Sequence, residues 1–428
     1  MVERMSSPTD PSPSITVAQQ RMEFNGTVAP KIAANLGLPP RIHGSAYSQR
    51  FAFFADNTRL ALVAGEQEGD DVELALAYAI RHANGRPLTL VLPEGHTNAT
   101  AQRVPWLRTR SRPTLYTHHR GTGIVKLPPR SRKDTLDALA EPRKGLSPRD
   151  ELTKATAPAH LGKATTGVWE LVEWATTSPV LDHGHRGGQR SWHYAGQRVL
   201  SISRTTGGVS IVAGIHYTGT NKPIAILLKD GDTLEDTTLD TIKQSVTNAI
   251  EHRAKPGRKA IHRPDEHWLQ AILRRSPHVV GVEQPALREL PAWRPHDSHM
   301  SWGRGFIDLL GLDGHGAIRI VETKLATNTD DLLVLQGLDY YVWATAYLDV
   351  LRARLSAAKS ADLEIHYVLG AKPETNSIKI SPCTPTLAAA LDDDIAWRFQ
   401  VVRDWFQQPD DKSAANAVVS ERSTMPEK

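Results

Sequence analysis

A chain of 428 residues exceeds one ordinary domain and points to two or three, with ample mass for buried cores. With 40% hydrophobic and 23% charged residues it reads as globular, and no run approaches the roughly 20 apolar residues of a membrane span. The single cysteine, Cys383, excludes an internal disulfide and a cysteine-built zinc site, and the N-terminus lacks the apolar core of a secretion signal, so a cytoplasmic location is expected.

Residues 1–45 are rich in Pro, Ser and Thr and are expected to be disordered, apart from a short helix around Thr16 to Glu23. Residues 46–100 predict a small α/β unit. Arg59 to Ala64 reads as a strand, Asp70 to Ala83 as a helix and Pro87 to Leu92 as a second strand. The Gly65-Glu66-Gln67-Glu68-Gly69 loop between them is no phosphate cradle, because it places two acids where an anion would sit. Residues 101–160 are expected to form a basic connector. The net charge is only +4, yet from Arg103 to Arg149 twelve Lys or Arg stand against three acids. Such a segment can grip phosphates, or it can be a solvated linker.

Residues 161–255 predict an antiparallel β-meander plus helix. A helix over Gly162 to Ala175 precedes strands at Arg198–Arg204, Val209–Tyr217 and Pro223–Leu228, and a helix from Thr233 to His252 follows. Trp192, His193 and Tyr194 suit base stacking or, more simply, a core. The basic residues Arg253, Lys255, Arg258, Lys259 and Arg263 sit just before the next domain and are candidates for contacts with a nucleic-acid backbone.

The most informative stretch runs from Gly305 to Leu325. Two apolar runs flank the turn-forming Asp313-Gly314-His315-Gly316, which predicts a β-hairpin. With a three-residue loop over 314–316, Asp313 pairs with Ala317 and Asp308 falls opposite Glu322. Lys324 then lies on the same strand face as Glu322. Two carboxylates and an ammonium among Ile, Val and Leu are costly unless compensated, and a divalent cation would compensate them. Upstream, Asp265 reads as the N-cap of a helix that carries Glu266. Downstream, a long helix from Asp330 to about Leu355 carries Gln336 and Tyr340 on one face.

These residues resemble the PD-(D/E)xK nuclease superfamily, in which a hairpin with Asp and Glu-x-Lys lies between two helices. The Gln-x-x-x-Tyr spacing resembles its RecB-like branch. The residue before Asp308 is Ile307, where the superfamily often has proline. The resemblance covers only the C-terminal region, residues 256–408, and implies a restriction-endonuclease-like mixed sheet flanked by helices. It implies Asp308 and Glu322 as metal ligands for Mg²⁺ or Mn²⁺, and Asp308, Glu322, Lys324 and Glu266 as the catalytic set. Gln336 and Tyr340 would contact substrate or brace the site. Leu363 to Leu369 should add a strand and Ala396 to Gln407 a further helix, with residues 409–428 a loose tail. The overall expectation is therefore a multidomain α/β and α+β protein. Its expected partner is nucleic acid, DNA ahead of RNA, with no membrane, and the meander is equally suited to forming a homodimer. The alternatives are a non-catalytic nucleic-acid-binding protein that keeps the fold, and a ligand-gated defence nuclease.

Overall fold

The computed structural model describes residues 15–41, 48–119, 123–140, 161, 166–186, 189–214, 223–255, 264–283, 286–293, 304–327, 330–406 and 420–423. The described residues fall into two compact units that divide after residue 130. The expected disorder of residues 1–14, 409–419 and 424–428, and most of the connector's second half, lie outside the described residues.

In the first unit, Thr16 caps helix α1 (Val17–Glu23) through a reciprocal bond with Gln19. Helix α2 (Ala29–Asn35) buries Ala29, Ile32 and Ala33. Their i, i+3, i+4 spacing makes one apolar stripe, which packs with Phe54, Ala61 and Val63. Helix α1 is the short helix expected around Thr16 to Glu23, while α2 corrects the expectation of disorder for the residues that follow it. Five strands follow: β1 (Ala52–Ala55), β2 (Leu60–Val63), β3 (Leu88–Pro93), β4 (Thr114–His118) and β5 (Ile124–Lys126). They form one sheet in sequence order. The three central strands are parallel and the two edges antiparallel. Helix α3 (Leu74–Ala83) makes the β2–β3 crossover, and α4 (Asn98–Arg103) lies before β4.

The basic stretch after residue 100 is thus part of this unit rather than a connector, at least as far as Lys126. Two of its charges have local partners: Arg103 is buried and pairs with Glu73 at 2.8 Å, and Arg112 donates to the Leu107 and Pro105 carbonyls. Composition misled because guanidinium groups can be buried once each N–H finds an acceptor.

The second unit begins with α5 (Arg132–Ala140) and α6 (Thr166–Thr177). An antiparallel sheet of five strands follows: β6 (Asp182–Arg186), β7 (Gln189–Tyr194), β8 (Gln197–Thr205), β9 (Gly208–Ala213) and β10 (Ile224–Lys229). Trp192 and Tyr194 are fully buried in its core, so they are fillers rather than stacking platforms. Helix α7 (Asp236–Ala254) closes the meander.

The remaining elements are α8 (Glu266–Arg275), β11 (Leu287–Trp293), β12 (Arg304–Leu312), β13 (Ile318–Leu325), α9 (Leu333–Ala346), α10 (Leu348–Leu355), β14 (Leu363–Gly370), α11 (Cys383–Ala389), β15 (Ala396–Val402) and β16 (Ser420–Ser423). The six strands form one mixed sheet in sequence order, with β13, β14 and β15 parallel. Leu309 and Val321 pack with Trp268, Leu269 and Ile272 of α8. Their strand neighbours Leu310 and Ile320 pack with Tyr340 and Trp343 of α9. Because successive side chains face opposite sides of a strand, α8 and α9 cover opposite faces of the sheet.

Three expectations change here. The stretch from Ala396 is strand β15, not a helix. Its aromatic and β-branched residues suit a strand, and β14 supplies the parallel ladder. Trp405 reaches the core from beyond the strand's end, where its indole donates to the Ala371 carbonyl at 2.8 Å. The long helix ends at Ala346 and restarts at Leu348. Between them the Tyr347 backbone leaves the helical region, and its hydroxyl donates to the Leu139 carbonyl. Finally, the tail contributes β16, antiparallel to β15.

Candidate active site

The hairpin register is set at its turn. Asp313 N–H donates to the Ala317 carbonyl at 2.9 Å, and Gly316 takes a φ of +83°, the left-handed position a glycine accepts freely. The ladder from Leu312↔Ile318 to Leu309↔Val321 keeps that register and ends there, short of the expected pairing of Asp308 with Glu322. Beyond the last of these pairs Asp308 turns to Thr323. Its Oδ2 accepts the Thr323 backbone N–H at 2.9 Å and the Thr323 hydroxyl at 2.6 Å.

Glu266 enters from the first turn of α8, whose N-cap is Asp265, accepting from the Trp268 N–H at 3.0 Å. Lys324 Nζ lies 2.7 Å from Glu266 Oε1, with both side chains partly exposed. Glu322 is 3% exposed. The charges of Glu266 and Lys324 both act on Asp308, and those of Glu266, Glu322 and Asp308 all act on Lys324. Lys324 thus stands at one end of the β12–β13 hairpin under the charges of carboxylates from three elements, Glu266 of α8, Asp308 of β12 and Glu322 of β13, with Glu266 in direct contact.

Burial pushes the Asp308 carboxyl above its usual range; the Thr323 hydrogen bond and the Arg274 charge oppose this without cancelling it. For Lys324, burial works against the ammonium, but the surrounding carboxylates outweigh it and its pKa rises. Lys324 is thus protonated at neutral pH. Three carboxylates and one ammonium give the cluster a formal charge of −2 when all are ionised. Hard oxygen donors with that charge suit a divalent cation. Among the described residues, no three His, Cys, Asp or Glu side chains form a ready-made metal cage.

Other sequence candidates fall elsewhere. Tyr340 is buried, and its hydroxyl accepts the Phe306 N–H at 3.2 Å, so it braces β12 rather than facing substrate. A Cβ at Gly305 would come within 2.5 Å of that hydroxyl, and only glycine lets the strand pass. Gln336, one turn earlier on α9, is partly buried, with an Oε1 sealed from solvent. Arg253, expected to contact nucleic acid, is fully buried. It bonds the Ala195 carbonyl and Asp265 at 3.2 Å each, and lies 4.9 Å over the Trp268 ring. It is a structural residue that fixes the start of α8. Lys255 is exposed at the end of α7; Arg258, Lys259 and Arg263 lie outside the described residues.

Two polar groups at the site were not anticipated. Gln270 Nε2 donates to Asp308 Oδ1 at 2.9 Å and to Thr323 Oγ1 at 3.2 Å. Arg274, buried, pairs with Glu289 at 2.9 Å and lies 3.8 Å from Asp182 of the meander, which also pairs with Arg288. A signal existed in the spacing: Glu266, Gln270 and Arg274 are i, i+4 and i+8 on one helix face. Thr323 is the middle residue of Glu-x-Lys.

Comparison with known families, curated proteins and solved structures returns no match for this chain. Among the described residues, no helix is long and apolar enough to cross a membrane.

Proposed function

We propose that this chain is a Mg²⁺- or Mn²⁺-dependent nuclease that hydrolyses phosphodiester bonds, in DNA rather than RNA, with its site in the second unit. One observation carries the reading: Lys324 lies 2.7 Å from Glu266 where the hairpin's strands part, with the charges of Glu322 and Asp308 also acting on it. The surrounding order of helix, hairpin, helix and strand, with α8 and α9 on opposite faces of a mixed sheet, supports a restriction-endonuclease-like architecture.

Asp308 and Glu322 would hold the cation, which would supply Lewis acidity at the phosphate and a water ionised near neutral pH. Lys324, held charged by its carboxylate neighbours, orients the attacking water or meets negative charge developing on the phosphate. Glu266 fixes the ammonium by direct contact. Water adds to phosphorus as the bond to the leaving sugar oxygen breaks, and the departing alkoxide takes a proton from solvent. The first unit, and the meander of the second, would select substrate, partner or trigger.

The test is cleavage of single-stranded, duplex and branched DNA and of RNA by the full chain, with Mg²⁺ or with EDTA. Cation-dependent cleavage is expected, and Asp308→Ala and Lys324→Ala should each lower it by roughly 100-fold or more while circular dichroism is unchanged. Wild-type rates in either variant, or no cleavage of any substrate by the parent, overturn the reading. The Lys324–Glu266 pair, which already neutralises part of the site, favours a second reading as a non-catalytic nucleic-acid-binding protein. That reading expects DNA binding without cation-dependent cleavage.

A further inference from the structure

Gln270 is 6% exposed and lies one turn along α8 from Glu266. Its amide nitrogen donates to Asp308 Oδ1 and Thr323 Oγ1, while the Thr323 hydroxyl and backbone N–H both donate to Asp308 Oδ2. The roles in this closed triangle are forced. An amide nitrogen has two hydrogens and no free lone pair, so it only donates. The threonine hydroxyl has one hydrogen, gives it to Asp308, and so accepts from Gln270.

A carboxylate offers about four acceptor directions, and these bonds take three of them. The remaining direction is on Asp308 Oδ1. Reversing the Gln270 amide would set its Oε1 against Asp308 Oδ1, two acceptors with no hydrogen between them. The helix that carries it is itself held. A Cβ at Gly196, in the β7–β8 turn, would come within 2.2 Å of the His267 carbonyl oxygen, and Arg253 grips Asp265.

We propose that Gln270 and Thr323 are positioning residues that orient the Asp308 carboxylate, leaving one oxygen direction open to a divalent cation, and so set the site's cation affinity. This rests on the nuclease reading. Neither residue touches substrate or the reacting phosphate; both act through Asp308.

The experiment compares the full chain with Gln270→Leu, Thr323→Val and Thr323→Ser. Mn²⁺ binding is read directly by electron paramagnetic resonance, and the Mg²⁺ dependence of DNA cleavage is read in parallel. Losing a hydrogen bond to a metal ligand costs roughly 10- to 100-fold in affinity, so Gln270→Leu and Thr323→Val should weaken Mn²⁺ binding by that factor. The Mg²⁺ concentration for half-maximal cleavage should rise to match, with the rate at saturating Mg²⁺ falling far less. Thr323→Ser, which keeps the hydroxyl, should restore most of the affinity. If Gln270→Leu fails to fold, the near-isosteric Thr323→Val decides. A parent that binds Mn²⁺ and cleaves, with variants that bind Mn²⁺ equally tightly, overturns this inference alone. A merely structural role would produce that result, lowering only the melting temperature. A parent that neither binds Mn²⁺ nor cleaves overturns both.

Discussion

Arg253 offers the sharpest test of how this unit is held together. Arg253→Ala removes a fully buried guanidinium that meets the Trp268 ring at 4.9 Å and bonds the Ala195 carbonyl and Asp265 at 3.2 Å each. A desolvated cation–π contact contributes about 2 kcal/mol, and a hydrogen bond from a charged donor about 1.5–3 kcal/mol. The Asp265 side chain is 42% exposed, so its share is discounted for solvent screening. The remaining loss, with the void left by truncation, comes to roughly 3–5 kcal/mol. Urea unfolding of the full chain, followed by tryptophan fluorescence, reads this as a lower midpoint for the second unit. Arg253→Met, which refills the apolar volume over Trp268, should lose clearly less. Were Arg253 instead a phosphate contact, its loss would weaken DNA binding and flatten the salt dependence with no change in the midpoint. An unchanged midpoint in Arg253→Ala refutes the clamp.

Two pH-dependent outcomes follow from burial. The Asp308 carboxyl ionises above its ordinary 3.8 in the fold, so the folded state holds the proton more tightly than the unfolded one. Its ionisation costs no stability below 3.8, and the cost grows as pH rises to the folded pKa and is complete above it. Asp308→Asn should therefore raise the melting temperature in EDTA at pH 7, with the advantage fading toward pH 3; Mg²⁺ should stabilise only the parent. A variant less stable than the parent in EDTA at pH 7 contradicts this. His193 is pushed down from 6.5 to about 4 by burial, with Glu289 opposing that shift and Arg274 adding to it. The unfolded ring takes up its proton near 6.5 and the native ring near 4, so its contribution to stability is present above 6.5 and lost as pH falls through that interval. Proton NMR of the His193 ring should give a midpoint near 4; one near 6.5 would show the ring to be solvated.

The sequence alone determined what rests on local rules. Period-2 alternation and a glycine turn defined the hairpin register through Asp313 and Gly316. The Asp265 cap marked the start of α8, and apolar runs marked β2 and β3 as strands. Each of these depends on backbone sterics or hydrogen bonds between residues a few positions apart, and so is written within a short window. Tertiary structure decided the rest. The stripe of Trp397, Val401 and Trp405 fits a helix when seen alone, but β14 offered a ladder and made Ala396–Val402 a strand. The basic stretch after Arg103 looked like a linker until β3 paired with β4 and Glu73 met the Arg103 guanidinium. Arg253 looked like a phosphate ligand until Trp268 and Asp265 enclosed it. The candidate site divides the same way. The sequence named Asp308, Glu322, Lys324 and Glu266, but a Gln on one helix and a Thr inside a strand acquire meaning only when folding carries them across 38 and 53 residues to one carboxylate and to each other. A guanidinium or an amide has no intrinsic address; its role is set by whichever acceptor the fold brings within hydrogen-bond reach, because burial makes an unmet polar group too costly to leave.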